Sequence, residues 1–299
     1  MLPPRIRLLA ALSVAALFAV APACGLFSSS SPRRGRNVST EPVGLRWRAL
    51  RASATRDAGA DAGAPSAQCP DLAVLIPGGT FVMGSPEGEG APDEHPSRQV
   101  TVSAFCIDRT EVTIDAYMAC VTAGACSPTA ATQTSGDVPV SGIDWQQALT
   151  LCRYVGGRLP TEAEWEFAAR GTDGRRFPWG NEAPTDCDRL DWTPDGTSQS
   201  CQGVGPSSVT AHPRGASPFG VLDMAGNVWE WTADWYATSY PPGVARDPHG
   251  PDEGSARVAR GGGWNNDQVD RVRATWREGQ HPAFHDYDLG VRCAYDRAP

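Results

Sequence analysis

The stretch GVLDMAGNVWEWTADWY, residues 220–236, decides what kind of fold this chain builds. Trp229, Trp231 and Trp235 crowd one segment. With Trp165 and Trp179 they read as anchors of a core and its loops, because large indoles fill irregular space where helix and sheet are scarce. Ahead of them Asp223 and Glu230 stand either side of Gly226, which permits a tight turn with carbonyls aimed inward. Hard oxygen ligands in a turn suit calcium. The alternative for Glu230 is an ion pair with an arginine. Composition agrees with a loop-rich domain pinned by indoles rather than a helical bundle: 299 residues, 40% hydrophobic, 32 Gly, 26 Pro, and ten Trp within only 8% aromatics.

Working outward, three helices are legible. One covers about 113–123. A second opens at Asp144, with Gln147 three residues on and Trp145, Ala148, Leu149 and Cys152 recurring on one face. A third opens at Thr161, where Glu164 completes a capping box behind Pro160. The runs LAVLIP (72–77), TFVMG (80–84), RQVTVSAF (98–105) and ARVARGG (256–262) read as short strands broken by Gly and Pro. No internal repeat and no second domain is visible.

The N-terminus differs in character. Two arginines, an apolar run from Leu8 to Val20 and small residues before Cys24 read as a secretory signal over residues 1–23, too short to span a bilayer. The APAC end resembles a bacterial lipobox with Cys24 as the lipidated residue; the alternative is an ordinary signal peptide. Gly25 after that cysteine favours the outer membrane, with the protein facing the periplasm or the cell surface. Residues 24–68 read as a disordered tether, and 69–299 as the folded domain. Nine arginines and three acids precede Cys69, so the domain carries 17 of the 26 basic and 31 of the 34 acidic residues, a net of −14, which argues against nucleic acid as a partner. There is no lysine, which excludes Schiff-base and pyridoxal phosphate chemistry. Eight cysteines remain after Cys24, an even number that suits four disulfides in an oxidising compartment. Short loops favour Cys120 with Cys126 and Cys187 with Cys201. Zinc is the alternative use, but no C-x2-C pair is present.

The motifs IPGGTFVMGS (76–85), DRTEVT (108–113), GGRLPTEAEWEFAARG (156–171), FPWGNE (177–182), GVLDMAGNVWEWTADWY, RVARGGGWNN (257–266) and LGVRCA (289–294) stand in the order found in the sulfatase-modifying-factor family. The chain resembles a formylglycine-generating-enzyme domain from about Cys69 to Arg297. The resemblance implies an α+β fold, the formylglycine-generating-enzyme variant of the C-type-lectin-like fold, with little regular structure and its first and last strands together. It also implies a Cys152–Cys293 disulfide, which leaves Cys69 to pair with Cys106. By the same resemblance a structural calcium would take the Asp223 and Glu230 side chains with the Gly226 and Val228 carbonyls. A second calcium would use Asp191 and the Trp192 carbonyl, its remaining ligands having no clear counterpart.

The same resemblance turns attention to RGGGWNNDQVDRVRATWR, residues 260–277. Formylglycine generators carry two copper-binding cysteines here, and soft thiolates are what Cu(I) requires. The first position falls on Asn266 and the second at about Val269, so no copper is expected. An iron site from His281, His285 and Asp286 is disfavoured by Pro282, and no G-x-S-x-G elbow supports a hydrolase. The reading that follows is an envelope lipoprotein acting as a binding or structural module. Trp264, Asn265, Asn266, Asp267, Trp276 and Arg277 would line a groove for an envelope protein, as a peptide, or for a glycan. The alternative is a diverged metal-dependent oxidase of the same family.

Overall fold

A computed structural model describes residues 68–131, 136–194 and 200–297. Cys24, the apolar N-terminal run and the tether lie outside the described residues. Short strands assemble into three small sheets. In the first, β4 (Phe105–Asp108) lies between β1 (Ala73–Ile76) and β10 (Ala294–Asp296), antiparallel to both, with Ala73 opposite Asp108 and Ala294 opposite Ile107. The beginning and the end of the domain are thereby joined through one strand. In the second, β2 (Gly79–Met83) runs antiparallel to β3 (Arg98–Val102), and β6 (Ala245–Arg246) adds in parallel. The third has the order β8 (Arg277–Gln280), β7 (Arg257–Arg260), β5 (Trp229–Trp235), β9 (Leu289–Gly290), and β5 departs from regular pairing between Trp231 and Trp235.

The helices begin where their caps dictate. α1 (Ile114–Thr122) starts after Thr113, whose hydroxyl accepts the Ala116 N–H. α2 (Trp145–Tyr154) and α3 (Glu162–Arg170) each open on a reciprocal capping box, Asp144 with Gln147 and Thr161 with Glu164. α3 is buried on every face, although three of its residues are glutamates. Each of those carboxylates meets arginine: Glu162 meets Arg277, Glu164 meets Arg158, and Glu166 meets both Arg170 and Arg260. Charge can enter this interior because it enters in hydrogen-bonded pairs.

Indoles hold the core as the sequence suggested. Trp231 packs with Tyr117, Ile143, Leu151 and Val291, and its Nε1–H donates to the Ile143 carbonyl at 3.0 Å. Trp165 packs with Phe81, Phe105, Phe167 and Met224 in a second cluster. A third gathers Phe177, Leu190, Trp192, Ala225 and Val272, with Val269 against it. The structure pairs the cysteines as Cys69–Cys106, Cys120–Cys126, Cys152–Cys293 and Cys187–Cys201. No helix among the described residues is long and apolar enough to cross a membrane.

Candidate functional site

β7 ends in Gly261-Gly262-Gly263, and the chain then turns sharply. Gly262 has φ +79°, and a Cβ there would meet the Arg271 carbonyl at 2.8 Å, so only glycine lets the two segments approach this closely. Asn266 closes the turn. Its Oδ1 accepts the Gly263 N–H at 2.8 Å, and its own N–H returns to the Gly263 carbonyl at 3.0 Å. The next segment is locked in as well: Trp264 N–H donates to the Asn227 carbonyl at 2.8 Å, and the Thr193 hydroxyl donates to the Trp264 carbonyl at 2.7 Å. Val269 opens a single 3-10 turn, half-buried against the third cluster. Asn266 is thus a turn-closing amide and Val269 a packed hydrocarbon. All eight cysteines of the described residues are in disulfides, so no thiolate among them fits Cu(I).

The groove read from the sequence is redrawn by the fold. Arg277 does not face solvent. Its Nε and Nη2 donate to the two Glu162 oxygens, each at 2.7 Å, its Nη1 donates to the Asp93 and Ala237 carbonyls, and Tyr236 and Tyr240 flank the guanidinium. Trp264 and Asn266 are buried too, and Trp276 is half-buried against the first cluster, its Nε1–H directed at Glu278. What reaches the surface is Asn265, Asp267 and the loop after β8. In that loop Phe284 is 40% and Tyr287 57% exposed. Tyr287 leans on Trp264 with ring centroids 5.5 Å apart, and its hydroxyl accepts from Asn265 Nδ2 at 3.2 Å. Beneath them Asp288 is pushed up to about 6 by burial and by Asp286, with Asn265 drawing it back. His281 and His285 are exposed on the same loop. Phe284 and Tyr287, in the segment HPAFHDYD, stand outside the residues that the sequence places along the groove. Two aromatics alternating with polar residues in a proline-bearing loop were the available signal.

The turn of residues 223–228 also differs from its reading. Glu230 is not a free ligand: Arg292 grips it through Nη2 at 2.6 Å and Nε at 2.7 Å, and Trp165 Nε1–H donates to it at 2.6 Å. All of this is buried, and the arginine ion pair read as the alternative for Glu230 is present. Asp223, in the left-handed region at φ +54°, keeps both carboxylate oxygens without a hydrogen bond. So does Asp191, with the Ser200 and Ser207 hydroxyls lying beside it but closing no bond of ordinary geometry. The Asp191 carbonyl accepts the Asn227 N–H at 2.8 Å, and a Cβ on Gly226 would sit 2.3 Å from that carbonyl oxygen. The Trp192 carbonyl already accepts the Cys201 N–H at 3.0 Å. Of the carboxylates assigned to calcium, Asp223 and Asp191 keep their oxygens without hydrogen bonds and Glu230 is engaged by Arg292 and Trp165.

A mixed fold of small sheets and three capped helices defines the class, and comparison gives the family. Residues 60–297 match the model of the sulfatase-modifying factor enzyme 1-like domain, and the chain belongs to that family. It is 33% identical over 288 residues to the formylglycine-generating enzyme of Streptomyces coelicolor, across 75% of this chain and 88% of that protein. It is 31% identical over 275 residues to the inactive C-alpha-formylglycine-generating enzyme 2 of Mus musculus, across 74% of this chain and 84% of that protein. Among solved structures, PvdO from Pseudomonas aeruginosa superposes with a TM-score of 0.64 at 22% identity, over 80% of this chain and all of that one. Treponema denticola variable protein 1 superposes with a TM-score of 0.62 at 25% identity, over 75% and 94%. The fold is thus the formylglycine-generating-enzyme variant of the C-type-lectin-like fold.

Proposed function

We propose that this chain is a non-catalytic binding module of the sulfatase-modifying-factor family, held at the cell envelope by lipid on Cys24. One observation carries the reading. The side chain at the first copper position, Asn266, is spent on closing its own turn at 2.8 Å, with every cysteine of the described residues tied in a disulfide. Oxygen activation on a thiolate-bound metal has no thiolate to use. The relative in Mus musculus that is named inactive shows that a chain of this family need not keep the reaction.

The face offered to a partner is Asn265, Asp267, Phe284 and Tyr287. Flat rings beside amide and carboxylate groups suit a peptide or a glycan of the envelope. Incubating copper-treated protein with a peptide bearing a sulfatase-type cysteine motif, and reading the peptide mass, tests the first half. Unchanged peptide is expected. Aldehyde formation with stoichiometric copper would promote the diverged oxidase, which the 33% identity to the Streptomyces coelicolor enzyme keeps as the second reading. For the anchor, Cys24→Ser is expected to release the protein from membranes; a variant that stays membrane-bound at unchanged mass removes the lipid.

A further inference from the structure

The exposed face of Asn265, Asp267, Phe284 and Tyr287 carries negative charge that nothing beside it offsets. Asp267 is exposed, and Asp286 is half-buried with its Oδ1 accepting the Tyr287 N–H at 2.7 Å. Asp288 is set against the chain that leads to Trp264, since a Cβ on Gly263 would meet its Oδ2 at 2.7 Å. The arginines of the neighbouring segment turn elsewhere: Arg271 meets Glu278 at 3.3 Å, Arg273 meets Glu94 and Asp270, and Arg277 meets Glu162. No ion pair among the described residues reaches Asp267, Asp286 or Asp288. The loop's histidines turn back on it. His281 Nδ1 accepts the Ala283 N–H at 3.2 Å, which leaves that ring uncharged, and His285 Nδ1 lies 3.4 Å from the Ala283 carbonyl.

The rings and one donor narrow what can sit there. Tyr287 and Trp264 are tilted at 52° to one another, and Phe284 adds a third ring on the same loop. The Trp264 Nε1–H is buried and has no acceptor. A neutral glycan would supply oxygens and apolar faces but leave the acids uncompensated. A lysine or arginine side chain lays its methylenes along the rings, its cation is drawn to ring faces and carboxylates alike, and the peptide carbonyls beside it suit an unspent indole donor. The whole domain favours the same choice, because a net charge of −14 draws a basic chain toward it.

We infer that this face, granted that the chain is a binding module, receives a basic segment of a partner polypeptide, one lysine or arginine seated on Phe284 and Tyr287 with its charge toward Asp286 and Asp267. Full chain is titrated calorimetrically with the peptide acetyl-(Gly-Arg)4-amide, with its (Gly-Gln)4 counterpart and with the tetramer of N-acetylglucosamine. The same titrations are run on Arg33→Gln, Arg34→Gln, Arg36→Gln full chain, so that the chain's own basic residues cannot hide the face. Binding of the arginine peptide alone is expected, weakening with added salt. Joint Phe284→Ala, Tyr287→Ala substitution should weaken it about fivefold or more, and Tyr287→Phe, which keeps the ring, should leave it unchanged. Asp267→Asn with Asp286→Asn should weaken it as well, whereas Asp252→Asn with Glu253→Gln, exposed acids elsewhere, should not. An arginine peptide held equally well without the two rings reports diffuse acidity and overturns the inference. Glycan binding that is lost with the rings also overturns it but keeps the binding face. If none of the three probes binds either protein, the face itself is removed, and the binding-module reading with it.

Discussion

Glu94 can lie in the interior only because Arg273 meets it there. The guanidinium donates to both of its oxygens at 2.8 Å, the Ala91 N–H donates at 2.9 Å, and the Ser85 hydroxyl adds a further bond. Burial alone would raise this acid, but the Arg273, Ala91 and Ser85 donors outweigh it and hold it down to about 2. The folded value lies below the unfolded one, so Glu94 stabilises the fold above the ordinary carboxyl value near 4.5 and loses that contribution as pH falls toward 2. Between pH 6 and pH 3 the loss is about 2 kcal/mol. Urea unfolding of wild type and Glu94→Gln at both pH values checks it, since other titrating groups cancel in the difference. The stability gap between the two proteins should narrow by that amount on acidification; a constant gap would mean that the carboxylate's charge adds nothing beyond its shape.

How far each element was legible follows from the range of its interactions. Caps act over three residues, so Thr161 with Glu164 and Asp144 with Gln147 could be read directly, and α2 and α3 begin where those boxes place them. Strands such as β2 and β3 announced themselves by short apolar runs between Gly and Pro. Charged residues misled, because their partners lie far along the chain. Arg277 read as a surface donor, the usual place for arginine, yet Glu162 waits 115 residues away on α3. The same holds for Glu230, whose Arg292 is 62 residues distant. β7 and β8 set Arg260 directly opposite Arg277. Two like charges side by side are tolerable only because α3 lays Glu162 and Glu166 across them. The helix is thus the counter-ion of a sheet that sequence alone could show only as scattered arginines.

Across the molecule, the chain ends of the domain are held by one strand and two long covalent links. β4 carries both β1 and β10, Cys69 is tied to Cys106 within β4, and Cys152 on α2 is tied to Cys293 just ahead of β10. The last link spans 141 residues, whereas Cys120–Cys126 spans only six. If a disulfide acts mainly by restricting the unfolded chain, the long link contributes about 5 kcal/mol and the short one about 2 kcal/mol. Paired alanine substitution of each disulfide, followed by urea unfolding, separates the cases. All four cysteines are buried, so the loss of packed sulfur is comparable in the two variants and the difference isolates loop length. The Cys152→Ala, Cys293→Ala protein is expected to lose about 3 kcal/mol more than the Cys120→Ala, Cys126→Ala protein. Equal losses would place the value of both links in native packing. The closure of the fold would then rest on the β1–β4–β10 sheet and the Cys69–Cys106 link.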